Sequence, residues 1–216
     1  MPLNIFKGYV LKGKKVEELY ELVEGFRIEK VFLKVQRETE NIGSYEFPSQ
    51  EMIEKIAGYR LYIKETYNYI EEMDGEVERA EAEKIALKFQ MNLSNIQKIE
   101  YSIGGYFGGF DQYVLTFEEE QVYALLKNSQ YKFDTRNTTV AKEIFLKEFS
   151  DLYIGEWRKS YLDTDYGEQV LDGTSWGLKV YYSNEEEFVE FGGSNAFPYN
   201  FSLFNLLIEN IFNKDK

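Results

Sequence analysis

Residues 171–201, LDGTSWGLKVYYSNEEEFVEFGGSNAFPYNF, limit the fold more tightly than any other part of the chain. Trp176, Leu178, Val180 and Tyr182 alternate with smaller or polar residues, and residues 188–191 resume the alternation beyond the polar run 183–187. Period-two alternation on both sides of a turn-prone segment is the pattern of an antiparallel hairpin. Gly192, Gly193, Ser194 and Asn195 are expected to break the second strand, since glycine and asparagine reach positive φ cheaply, and Pro198 sets the start of a last helix. The C-terminus thus reads as a ββα unit with Trp176 facing inward.

A similar order precedes it. Residues 96–103 read as a strand, the glycine-rich run 104–109 interrupts it, and 111–117 resume alternation through Tyr113, Leu115 and Phe117. After the turn Glu118-Glu119-Glu120, residues 122–126 return as a strand. Thr138 or Thr139 is expected to cap a helix through Phe149, with Ile144, Phe145 and Phe149 inward. Two ββα units with glutamate-rich turns leave diverged duplication and coincidence both open. The fold class expected is α+β, an antiparallel sheet with packed helices.

The N-terminal part reads differently, as β-α-β. Residues 3–11 suggest a short strand, and 14–24 a helix with Val16, Leu19, Tyr20 and Val23 on one face, ended by Gly25. Residues 27–36 suggest a strand in which Val31, Leu33 and Val35 alternate with charged neighbours. A loop over 37–45 leads to Pro48-Ser49, with Ser49 as N-cap of a long helix bearing Met52, Ile53, Ile56, Tyr59, Ile63, Tyr67, Ile70 and Met73. A hairpin over 59–70 stays open as the alternative. Asp74-Gly75 punctuates, and 76–91 reads as a helix with Val77, Ala80, Lys84, Leu87 and Met91 along one stripe. The division expected is an N-terminal α+β region over 1–92 and a C-terminal one over 93–216.

The chain has no His and no Cys, which removes thiol nucleophiles, disulfides, zinc-type N/S ligation, histidine bases and the Ser-His-Asp triad. Carboxylate, Lys, Tyr, Ser/Thr and Arg chemistry remains, with oxygen-ligated Mg²⁺ or Ca²⁺. The net charge of −13 repels nucleic-acid phosphates and admits a protein partner with a basic surface, or mimicry of a nucleic acid by clustered carboxylates. The opening MPLNIFKGYVLKGKK has no apolar core, and no run approaches a membrane span, so a cytoplasmic setting is expected.

Several constellations invite a chemical reading. The glycines of 104–109 could cradle an anion, but they lack the Lys-Ser/Thr of a phosphate loop and precede a strand, so room for Tyr106, Phe107 and Phe110 is the plainer account. Asp163 and Asp165 sit at alternate positions as in a cation loop, yet the glycine comes early and Thr174 stands where a bidentate Glu belongs. Glu156, Asp163, Asp165 and Asp172 could form a hydrolytic pair only by chance proximity among 38 acidic residues. Trp157, Tyr161 and Tyr166, with Tyr181 and Tyr182 nearby, form a candidate aromatic binding surface. Asn195 is a candidate for the same surface or for a backbone cap in its loop. No cofactor is expected.

The pattern Leu171-Asp172-Gly173-Thr174-x-Trp176-x-Leu178, followed by Gly193-Ser194-Asn195-Ala196-x-Pro198-x-Asn200-Phe201, resembles the C-terminal signature of a group of uncharacterised proteins from low-GC Gram-positive bacteria. The run Ile103-Gly104-Gly105-x-x-Gly108-Gly109 is similar to their mid-chain segment. The resemblance covers the chain from about Ile96 onward; here Gly192 doubles the glycine and Phe197 replaces a frequent Tyr. It implies a shared fold and a cytoplasmic setting and carries no catalytic residue. The function expected is that of a non-enzymatic protein-binding, accessory or immunity-like factor. An acidic inhibitor that mimics nucleic acid and a carboxylate- or Mg²⁺/Ca²⁺-dependent hydrolase are the alternatives.

Overall fold

The computed structural model describes residues 1–105, 108–128, 135–168, 170, 173–184 and 187–213. The chain divides into two compact units, Met1–Arg37 with Pro48–Ala80, and Glu38–Phe47 with Glu81–Lys216. The segment 38–47 and the helix before the first strand therefore join the C-terminal unit, whereas the sequence placed the division at residue 92.

The first unit is helical throughout, which corrects the β-α-β expectation. Helix α1 (Leu3–Ile5) runs into a π-helical turn at Phe6–Leu11, and α2 spans Val16–Glu40. Residues 27–36 are helix because Ile28, Val31, Phe32 and Val35 also fit a helical spacing among strong helix formers. All four are exposed, so no strand-like burial holds them. Gly25 does not end α2; a Cβ there would meet nothing within 4 Å. Gly25→Ala is accordingly expected to stabilise this unit by about 1 kcal/mol, read as a higher denaturant midpoint, because alanine lowers the backbone entropy lost in a helix.

Helix α3 (Gln50–Glu72) is continuous, so 59–70 forms no hairpin, and the Ser49 Oγ accepts the Met52 N–H at 3.2 Å as an N-cap. Phe6, Leu11, Leu19 and Val23 meet Ile63, Tyr67 and Ile70 in one apolar core, with Phe6 stacked on Tyr62 at 4.4 Å. Asp74 takes a left-handed φ of 58°, and Gly75 lies so close to Ile70 that a Cβ would approach its Cγ2 to 2.8 Å. The punctuation read at Asp74-Gly75 thus rests on both φ and space.

The second unit opens with α4 (Glu81–Met91), shorter than the helix expected over 76–91. Its buried residue is Phe89, while Leu87 and Met91 are exposed, so the inward stripe lies on another face than the spacing suggested. Strands β1 (Ile96–Gly105), β2 (Gly109–Phe117), β3 (Gln121–Asn128) and β4 (Thr135–Ala141) form a meander, followed by α5 (Lys142–Asp151). Thr138 and Thr139 lie in β4 and cap nothing; Ala141 precedes α5 without a side-chain cap. Their β-branched side chains suit a strand better than a cap once β3 offers a ladder. An extra strand therefore separates the first strand pair from its helix.

Strands β5 (Ser160–Leu162), β6 (Thr174–Tyr182) and β7 (Val189–Ser194) and helix α6 (Phe201–Asn213) complete the unit. The fold is α+β, with one seven-stranded sheet of order β4-β3-β2-β1-β6-β7-β5, antiparallel except where β5 runs parallel to β7. The hairpin read from alternation is β6–β7. Gly192 and Gly193 do not break β7: they stay in register opposite Gly177 and Trp176. Glu185 and Glu186 of the turn, Tyr106 and Phe107 of the glycine run, and Leu171 and Asp172 lie outside the described residues.

One face of the sheet carries the core. Trp176, Leu178, Val180 and Tyr182 alternate inward as expected, joined by Ile99, Tyr101, Tyr113, Leu115, Phe117 and Phe191. Three helices cover that face: Phe89 of α4 lies 6.1 Å from Phe191, Phe145 of α5 5.5 Å from Phe117, and Phe204 of α6 4.9 Å from Tyr101. These edge-on ring contacts use the aromatic content to fill a core beneath the sheet.

Candidate functional site

Five of the predicted site residues converge on the short β5 end of the sheet. Tyr161 is fully buried in β5, and Tyr166 closes the 3₁₀ turn Asp163–Tyr166 that follows it. Between them lies Arg158, which the sequence did not single out. Its guanidinium sits 4.4 Å from the centre of the Tyr161 ring and 5.4 Å from that of Tyr166. The Arg158 Nη2 donates to Glu38 Oε2 at 3.3 Å and to the Tyr166 hydroxyl, and Nη1 lies 3.9 Å from the Asp165 carboxylate.

Glu38 is the buried anchor of this group, with 3% of its surface exposed. Tyr161 and Tyr166 each donate a hydroxyl to it at 3.4 Å, and the Arg158 backbone N–H donates to the Tyr161 oxygen at 2.9 Å. Burial pushes the Tyr161 hydroxyl well above its ordinary value, and the Glu38 charge adds to this. The same two causes push Tyr166 up to about 12. Burial works against the Arg158 charge, but Glu38 and the two tyrosines outweigh it and hold the guanidinium protonated. Neither tyrosine is poised to give up its proton near neutral pH.

Asp163 and Asn195 form the second half of the cluster. Asp163 Oδ2 accepts the Val170 N–H at 2.8 Å and the Asn195 amide at 3.3 Å, while Oδ1 accepts the Thr164 N–H at 2.8 Å. Asn195 takes φ of 55°, donates also to the Val170 carbonyl, and its own carbonyl accepts the Gly43 N–H at 2.7 Å. Among the described residues its Oδ1 has no hydrogen-bond partner, and it lies against Gly173, where a Cβ would approach to 1.4 Å. Asp165 accepts the Leu162 N–H and so caps the turn. Among the described residues, no three acidic, His or Cys side chains gather as a metal site.

The Val170 N–H, seconded by Asn195 and Thr164, holds the Asp163 carboxyl below its ordinary value. A depressed folded value means a contribution that is complete above the unfolded value of about 3.9 and is lost as pH falls through the lower one. Asp163→Asn is therefore expected to be less stable than wild type in urea at pH 7, and the gap should narrow as the pH is lowered below the ordinary carboxylate range. A gap independent of pH would contradict the charge-based role.

Trp157 stands apart from the polar cluster. It is buried, donates Nε1–H to Asn200 Oδ1 at 2.8 Å, and meets Trp176, Phe191 and Phe204 edge-on at 5.5 to 5.8 Å. Together these residues clamp segments 38–47, 157–170 and 195–200. Further ties are Asn41 to the Pro198 carbonyl, Ser202 to the Glu46 carbonyl and Trp176 to the Ala196 carbonyl. The chemistry available to them is holding: the carboxylates of Glu38, Asp163 and Asp165 are engaged by donors from the same fold.

The sheet face opposite the helices is different, because it is open. Lys98 bonds Glu100 at 2.8 Å, Tyr181 donates to Glu100 at 2.8 Å, and Lys179 pairs with Glu190 at 3.4 Å. Lys98 also caps the Tyr181 ring at 4.0 Å and Lys179 the Phe188 ring at 4.8 Å. Beyond this zwitterionic half, a groove of about 520 Å³ crosses β2, β3 and β4, lined chiefly by Val114, Thr116, Tyr123, Leu125, Asn137 and Thr139. Tyr123 is 45% exposed, and Phe110 and Phe188 are nearly as open. The sequence signal for this face was indirect: once Tyr113, Leu115 and Phe117 face inward, Val114 and Thr116 must face outward. Comparison of the chain with protein-family models, with curated proteins and with solved structures finds no match in any of the three.

Proposed function

We propose that this chain is a non-enzymatic protein-binding factor that recruits its partner on the open face of the seven-stranded sheet. The observation that carries this reading is the asymmetry of the sheet. Three helices cover one face, and the other presents exposed Tyr123 on the wall of a groove, with exposed Phe110 and Phe188 elsewhere on the same face. Exposed aromatic side chains on a rigid sheet supply large contact area at small entropic cost. The acidic residues Glu100 and Glu190 of this face are paired with Lys98 and Lys179, so it favours an ordinary protein surface over a groove that expects a row of phosphates. The overall charge of −13 adds long-range attraction for a basic partner.

A bacterial, cytoplasmic setting belongs to the same proposal and rests on the resemblance of the C-terminal signature. Among the described residues, no helix is long and apolar enough to cross a membrane. The test is affinity capture from a native bacterial lysate over a salt series, with wild type and Tyr123→Lys side by side. Wild type should retain a stoichiometric protein that leaves as salt rises, and Tyr123→Lys should lose it with an unchanged melting temperature. Equal capture by both proteins, or no partner at any salt, would overturn the reading.

A further inference from the structure

The two edges of the sheet are finished in opposite ways. The β5 edge is three residues long, turns at once into the 3₁₀ segment Asp163–Tyr166, and is crowded by Arg158 and Lys159. Short length, charge and an immediate bend are how natural sheets keep an edge from pairing. The β4 edge is longer and does not bend. Its seven residues pair with β3 without a bulge, from Gln121 opposite Ala141 to Lys127 opposite Thr135. It contains no Pro, no Gly and a single charged residue, Arg136, and among the described residues no strand pairs with its outer side. A regular edge of this kind presents unpaired backbone N–H and C=O groups in register for another strand.

We infer that β4 pairs antiparallel with β4 of a second copy of this chain, so that two sheets join through a two-fold seam into one. The strand's own sequence favours this occupant. In the register that overlaps the whole strand, centred on Thr138, Asn137 lies opposite Thr139 of the partner subunit and Arg136 opposite Val140 of the partner subunit. The one charge of the strand never faces its own copy, and Thr138 meets Thr138 of the partner subunit. Cross-strand Thr–Thr and hydroxyl–amide pairs are favourable neighbours, whereas directly opposed like charges are not. The odd-numbered residues Asn137 and Thr139 lie with Leu125 and Tyr123 on the open face. A two-fold axis normal to the sheet keeps that face on one side, as an isologous contact requires. The two grooves then flank the seam and form one extended binding face.

Light scattering coupled to gel filtration, on the full chain over a micromolar to millimolar series, tests this directly. Wild type should reach twice the 25.5 kDa of the chain. Asn137→Lys/Thr139→Lys sets like charges opposite each other across the seam and should return the mass to 25.5 kDa with unchanged circular dichroism. Asn137→Lys/Thr139→Glu sets opposite charges across the same seam and should restore the dimer. A monomeric wild type, a dimer that survives the double lysine variant, or a lysine–glutamate variant that stays monomeric would each overturn the inference. The two outcomes are separable from partner capture, because Tyr123→Lys lies outside the seam and should stay dimeric.

Discussion

Replacing Gly193 with alanine is expected to lower the stability of the second unit by about 4 kcal/mol, as overpacking of a tight site adds to the loss of a buried hydrogen bond. A Cβ at Gly193 would come within 2.5 Å of the Trp176 Nε1 and 2.7 Å of the carbonyl oxygens of Ala196 and Tyr161. Two of these three atoms are backbone and belong to segments already fixed, Tyr161 in β5 and Ala196 two residues beyond β7. The third is the indole nitrogen that donates to Ala196 at 3.0 Å. None can yield without opening either the β5–β7 pairing or the Trp176 site. Urea unfolding followed by tryptophan fluorescence should show the midpoint shift. A change below about 1 kcal/mol would mean that β5 is free to move away, contrary to its role in the clamp.

Trp157→Ala is the second large effect, again about 4 kcal/mol, from the cavity left by a buried indole. Trp157 supports Trp176, Phe191 and Phe204 at once, and its loss leaves Asn200 Oδ1 without its donor at 2.8 Å. Trp157→Phe separates the two contributions. It keeps most of the ring contacts and removes only the donor, so it should cost about 1 to 3 kcal/mol. If Trp157→Ala instead left stability near wild type and removed partner capture, Trp157 would have to be read as part of a binding surface.

How much of this the sequence disclosed depended on whether a pattern had one physical explanation or two. The alternation from Trp176 to Tyr182 has one, and it gave β6 with the right residues inward. The Ser49 cap and the long helix behind it were legible for the same reason. Val31, Leu33 and Val35 satisfy period two, but with Ile28 and Phe32 they also satisfy a helical period, and the helix formers around them decide the matter. Thr138 and Thr139 read as a helix cap, and only the long-range ladder with β3 reveals the strand.

The clamp at the β5 end was half legible. Tyr161, Tyr166, Asp163, Asp165 and Asn195 lie close enough in sequence type and position to draw attention. Their anchors do not: Glu38 is more than a hundred residues away and reads as one more acidic residue on a helix. Gly193 reads as a strand breaker and Gly173 only as part of the C-terminal signature, yet what they provide is space for the Trp176 indole and for Asn195 Oδ1. The open sheet face is a property of which side the helices take, and no local pattern states that.

The account assigns holding to the clamp and recognition to the open face, and a matched pair of variants separates the two most directly. Asn195→Ala forces alanine into a left-handed φ and removes two buried hydrogen bonds, so it should cost about 2 kcal/mol in urea unfolding while the folded fraction still captures the partner. Tyr123→Lys, on an exposed strand position, should leave unfolding unchanged and abolish capture. The reverse outcome, Asn195→Ala as stable as wild type but unable to bind while Tyr123→Lys binds normally, would contradict the account and place the function in the clamp.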